Sequence, residues 1–170
     1  MSRTRSTRFA TVTGLTCGLA MMALSGQVLV AQSSVPVPLV DRARGAAQVI
    51  VGRVTAVNPV WQVNEFGDRL IVSVVRVAVD ETLKGDAQAS VDVEVEGGTI
   101  GGLTLHVSDE ESFAPGDRAV FYLRRSARGA FVPHLRGQGT LKLDRNSRVR
   151  NSSLTLDEIR RTVSAAGGPR

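Results

Sequence analysis

The chain has 170 residues, 21 basic and 16 acidic side chains and one cysteine, a length that allows one self-sufficient core and leaves no room for two ordinary domains. The positive balance does not signal nucleic-acid binding. Arg3, Arg5 and Arg8 belong to a leader expected to be removed, after which 18 basic groups face 16 acidic ones, a net +2. Cys17 leaves with them, so the mature domain must hold together by burial alone, without disulfides.

The leader has three parts. A basic start without acids is followed by an uncharged run from Phe9 through Val30, closing on Leu29-Val30-Ala31 before Gln32. That is the grammar of a secretory signal. We read residues 1–31 as a signal peptide cleaved near Ala31, which places the product in the periplasm or outside the cell. A permanent membrane anchor fits less well, because threonines, glycines and Gln27 dilute the run and no basic stop-transfer cluster follows. Cys17 is a poor lipidation site, since the apolar run continues past it.

Residues 32–47 form an extended lead-in. Pro36 and Pro38 disfavour helix at themselves and just before, and Leu39 to Ala47 can make two helical turns. From residue 48 to 152 the period changes to two. Val49 to Val57 predicts a strand ended by Asn58-Pro59, and a loop carrying Trp61, Asn64 and Gly67 leads to a second strand from Arg69 to Leu83. Adjacent Val74-Val75 beside Arg76 predicts a bulge or bend where the inward face switches. Ser90 to Glu96 alternates cleanly, with Val91, Val93 and Val95 on one face and Asp92, Glu94 and Glu96 on the other.

Glycines 97, 98, 101 and 102 bracket Thr99-Ile100. Without a following Lys-Ser/Thr or a helix they are not a phosphate loop. They fit tight turning between strands, or close approach of another backbone. Further strands are predicted at Leu103 to Val107, Ala119 to Leu123, Ala130 to Leu135 and Gly139 to Leu143, with a type II turn at Pro115-Gly116. Within Ala119 to Leu123, either Phe121 or Tyr122 must enter the core, depending on register. Residues 153–166 hold a C-terminal helix, opened by a capping box between Thr155 and Glu158 and striped by Leu156, Ile159 and Val163. Residues 167–170 form a loose tail. The fold class expected is all-β: a small OB-like barrel or curved sandwich of six to eight strands with a short C-terminal helix.

A set of segments carries a family likeness: Val49-Ile50-Val51-Gly52-Arg53-Val54, the strand closing on Glu81-Thr82-Leu83-Lys84-Gly85, Val91 to Gly98, the turn Phe113-Ala114-Pro115-Gly116-Asp117, and Gly137-Gln138-Gly139-Thr140-Leu141. Over roughly residues 40 to 145 this resembles exported bacterial β domains without assigned function, some of which occur beside matrixin-type zinc metalloproteases. It also resembles the netrin-like module of tissue inhibitors of metalloproteinases. The resemblance implies a barrel, and a regulatory role toward an exported metalloprotease as one function. Those inhibitors approach the protease zinc with an amino-terminal cysteine. The mature chain has none, so that chemistry maps to no residue here.

Catalysis finds little foothold. His106 and His134 are the only histidines. They could serve a metal or a hydrolase only if their strands were neighbours and a third group joined them; ordinary partly exposed histidines are the simpler reading. There is no Gly-x-Ser-x-Gly elbow and no His-Glu-x-x-His motif. We therefore expect no catalytic residues, no metal, no cofactor and no enzyme.

Charge is uneven. Residues 32–117 hold 6 basic and 13 acidic groups, whereas residues 118–170 hold 12 and 3. Either the two halves interleave and neutralise each other, or Arg124, Arg125, Arg128 and Arg136 make a basic patch for an anionic surface. Nucleic acid is not expected, because aromatic stacking platforms are scarce and the protein is exported. The leading expectation is a non-catalytic exported interaction module, with no membrane anchor after cleavage. Its partner would be an envelope or exported protein or an anionic surface. Its candidate contacts are Trp61, Asn64 and Glu65, where Trp61 either stacks a ligand or caps a barrel end, and the four arginines.

Overall fold

A computed structural model describes residues 36–64 and 66–167; the proposed signal peptide, Glu65 and residues 168–170 lie outside the described residues. The chain is mostly β. Helix α1 (Leu39–Gly45) precedes strands β1 (Gln48–Val63), β2 (Arg69–Lys84), β3 (Ser90–Glu96), β4 (Gly98–Ile100), β5 (Leu103–Leu105), β6 (Arg118–Arg125), β7 (Phe131–Pro133) and β8 (Thr140–Leu143). A 3-10 turn (Arg136–Gly139) separates β7 from β8, and helix α2 (Leu156–Ala166) closes the chain.

Six strands form one sheet in the order β1-β2-β3-β7-β6-β8, and β6 also pairs with β1. Pairing therefore runs from β1 through β2, β3, β7 and β6 and back to β1, although β3 meets β7 through the single parallel rung Val93–Phe131. Strands β4 and β5 make a separate hairpin. Its connection, Gly101-Gly102, has positive φ at both residues (57° and 83°), the backbone a two-residue hairpin needs and glycine supplies.

The sheet separates two cores. On one face Ile50, Val54, Val75, Val77, Val91, Val93, Val95, Ala119, Phe121, Leu123 and Phe131 pack together. On the other, Val49, Val51, Val120, Tyr122 and Leu143 pack against Ala43 and Ala46 near α1 and Leu156, Ile159 and Val163 of α2. Strands β1 and β6 are thus covered on both faces, which explains their unbroken apolar runs; a strand wet on one side alternates, as β3 does. Both Phe121 and Tyr122 are fully buried, in opposite cores, rather than one of the two.

Local signals set the edges of the outer layer. Thr155 Oγ1 accepts from the Glu158 amide and Glu158 Oε2 accepts from the Thr155 amide at 2.7 Å, the expected capping box. Lys84 Nζ donates to the carbonyls of Ala43 (2.8 Å) and Ala46 (2.6 Å), placing a cation where α1 leaves its acceptors and its negative dipole end. Arg42 is buried and donates to the Val37 (2.7 Å) and Gln138 (2.8 Å) carbonyls, fastening the lead-in to the 3-10 turn.

Three expectations need correcting. Strand β1 does not stop at Asn58-Pro59 but pairs with β2 as far as Val63–Arg69. Beyond Arg53 it has lost β6 and has one ladder neighbour, and such an edge tolerates proline. The irregularity expected at Val74-Val75-Arg76 falls instead on Thr55 of β1, opposite Val77–Arg76, and on Asp80 and Leu83 of β2. The strand drawn through Ala130 to Leu135 is only Phe131–Pro133, because Leu135 (φ 63°) and Arg136 (φ 55°) turn left-handed into the 3-10 turn.

Candidate functional site

Trp61 lies on a strand, not in a loop. It pairs with Ile71, and the last rungs of the β1–β2 hairpin, Gln62–Leu70 and Val63–Arg69, have no third strand beside them, since β3 joins β2 only from Val72. The hairpin ends as a two-stranded arm with apolar side chains reaching solvent: Trp61 at 38 % exposure, Val63 at 58 % and Phe66 at 81 %, while Val60, also exposed, alternates to the other face of β1. The Arg69 guanidinium stands 4.5 Å over the Trp61 ring. Asn64 builds the tip: its side-chain carbonyl accepts from the amides of Phe66 (3.0 Å) and Asp68 (2.8 Å), an Asx-type arrangement that mimics a backbone turn. Asn64 is therefore tied up in shaping the loop that presents Phe66.

No family model and no curated protein matches this chain.

The four arginines make separate sets of contacts. Arg128, in the β6–β7 connection, reaches the arm: it donates to the Val63 carbonyl (3.2 Å) and to Gln62 Oε1, and pairs with Glu94 Oε2 at 3.0 Å. Arg125 donates to the Gly129 carbonyl (2.7 Å) and lies 3.8 Å over the Phe131 ring. Arg124 is exposed. Arg136 points elsewhere, pairing with Glu96 (3.0 Å) and Asp109 (2.8 Å) and lying 3.6 Å from Glu110. Arg118–Asp80, Lys142–Asp117, Arg150–Asp117 and Arg160–Glu81 extend the same pattern. Several basic groups of residues 118–170 thus pair with acids of residues 80–117, whereas Arg124, Arg125 and Arg145 make no ion pair among the described residues. Exposed pairs of this kind contribute little to stability, about 0–1 kcal/mol each.

A concavity of about 300 Å³ lies between the β4–β5 hairpin and the segment 106–113. Val57, Pro59, Val95 and Phe113 give it apolar walls, and Glu96, Glu110 and Glu111 line it as well. Glu110 has only 8 % of its side chain exposed. Burial lifts its carboxyl to about 7 against the pull of Arg136, with Asp109 and Glu96 adding to the rise. Such a group holds or releases a proton near neutrality. Sequence reasoning missed it: Asp109-Glu110-Glu111 is simply an acidic run, and nothing local marks the middle residue as covered.

His106 is exposed at the rim of this cavity. His134 instead sits against Gly45, where burial, then Arg124 and Lys84, hold its imidazole below the usual range. The two histidines occupy different sites, and no metal-holding group of three His, Cys, Asp or Glu occurs among the described residues. No described helix is long and apolar enough to cross a membrane.

Proposed function

We propose that the chain is an exported, non-catalytic interaction module that engages an envelope or exported protein through the β1–β2 arm. One observation carries this reading: Val63 and Phe66 stand largely in water, and Trp61 is partly exposed, at the end of the two-stranded β1–β2 ribbon. A contiguous apolar cluster rimmed by polar groups is the usual mark of an interaction surface, and aromatic anchors supply most of the affinity at such surfaces. Asn64 and Arg128 support the same reading, because both hold the arm in one shape before any partner arrives and preorganisation lowers the cost of binding.

The circuit of pairing through β1, β2, β3, β7 and β6 supports a small OB-like barrel of the netrin-like kind. With that likeness, regulation of an exported metalloprotease is one form the interaction takes. It is distinguished by a changed proteolytic rate when the domain saturates such an enzyme.

The test is retention of envelope proteins on immobilised domain. Wild type retains a defined partner, the double variant Val63→Thr/Phe66→Ser loses it, and Leu103→Ser, which alters an equally exposed apolar residue on β5, leaves retention unchanged. Equal retention by all three sinks the reading.

A further inference from the structure

Arg53 of β1 and Arg118 of β6 are direct cross-strand partners. They continue the row Val49–Tyr122 and Val51–Val120 on the face that the helices cover, so the outer face ends in two guanidinium groups side by side. Like charges directly opposite each other in an antiparallel pair are destabilising, and something must offset them. Asp80 answers Arg118 at 2.9 Å, with Ser147 Oγ at 3.0 Å. Among the described residues Arg53 has only the Gly116 carbonyl, at 3.4 Å.

These two residues line a polar cleft of about 700 Å³ together with Asp80, Asp144, Arg145 and Arg150. The acids there are already engaged. Asp80 holds Arg118, and the Asp144 carboxylate accepts from the amides of Asn146 (2.8 Å) and Arg148 (2.9 Å). Arg150 is paired with Asp117. Arg145 makes no hydrogen bond or ion pair among the described residues and is exposed. Arg118 and Arg150 each have a carboxylate partner, whereas Arg53 and Arg145 have none among the described residues; against the Asp144 carboxylate they leave the cleft one positive charge in excess, with Arg53 and Arg145 as its open members.

We propose that this cleft binds a multiply charged oxoanion, a phosphate or sulfate ester group, held between Arg53 and Arg145 with Arg118 as its floor. Guanidinium forks match the oxygens of such anions in charge and in plane. The cleft lies apart from the β1–β2 arm, and the inference does not depend on the function proposed for that arm. It also moves anion recognition away from Arg124, Arg125 and Arg128.

Titration with inorganic pyrophosphate at low ionic strength tests it, beside flotation on vesicles containing an anionic phospholipid. Wild type binds pyrophosphate and releases it as salt rises. Arg53→Gln/Arg145→Gln weakens binding by about tenfold or more, whereas Arg124→Gln/Arg125→Gln stays within about twofold. Arg145→Gln alone, at an exposed side chain with no hydrogen bond or ion pair among the described residues, shows the loss without risk to folding. Vesicle binding that pyrophosphate displaces identifies a lipid headgroup as the source of the oxoanion; pyrophosphate binding without it identifies a free or soluble ester. Binding of neither probe, or equal losses in the cleft and hairpin variants, overturns the proposal.

Discussion

Phe121 and Tyr122 are neighbours in β6, are both fully buried, and enter opposite cores. The Phe121 ring meets Phe113 at a centroid distance of 5.5 Å on the face shared with β2 and β3. Tyr122 lies under the helices, its hydroxyl buried and, among the described residues, without a hydrogen-bond partner. One strand therefore couples two hydrophobic layers, and a change on either face is felt as core damage.

Removing the orphan hydroxyl should help. A buried polar group without a partner costs about 1–3 kcal/mol, so Tyr122→Phe should raise stability by about 1 kcal/mol. Phe121→Ala should cost about 3–5 kcal/mol through the cavity it leaves. Urea melts of the two variants check both; a destabilised Tyr122→Phe would mean that the hydroxyl has found a partner.

Glu110 gives a pH signature. Its folded carboxyl titrates at about 7 against an ordinary 4.5, so between those values the folded state holds a proton that the unfolded chain has released. Stability linked to this group is whole below the lower value and is lost as pH rises through the upper one. Glu110→Gln should therefore match wild type at pH 4.5 and exceed it at about pH 8 in urea midpoint. An identical offset at both pH values would contradict the burial of the carboxyl.

Gly98 is held by both its dihedral and its neighbours. Its φ is +136°, and an added Cβ would stand 2.6 Å from Ser73 Oγ and 3.1 Å from Pro59 Cβ. Gly98→Ala should destabilise by about 1–3 kcal/mol, and should loosen the β4–β5 hairpin over the cavity. Faster amide exchange at Thr99 and Ile100 would report it; unchanged exchange and stability would show that the hairpin shifts freely.

Arg128 is expected to order the arm rather than bind anything itself. Arg128→Ala removes its bonds to Val63 and Gln62 and its pair with Glu94. Global stability should fall by under about 1 kcal/mol, as for exposed pairs, while amide exchange along Gln62 to Leu70 accelerates. No local change would place the ordering elsewhere.

Local chemistry was legible in the residues. The alternation of β3, the capping box at Thr155 and the stripe Leu156-Ile159-Val163 each need only a few neighbouring positions to be recognised. What escaped depends on distant partners. Asn58-Pro59 signals a stop unless it is known that β6 has left β1 by then. Trp61, Asn64 and Arg128 were identifiable singly, but Arg128 lies 66 residues from Gln62, and only folding joins them. Glu110 is covered by segments far along the chain. Arg53 and Arg118 become a like-charge pair only once the β1–β6 register is set.

Site-specific photo-crosslinking at the arm tip is the most direct measurement. A photoreactive residue replacing Phe66 should give one discrete crosslinked species in intact cells, which disappears when Val63→Thr is added, while the same residue at exposed Thr104 gives none. Equal labelling from both positions, or none from Phe66, would contradict a binding role for the apolar tip.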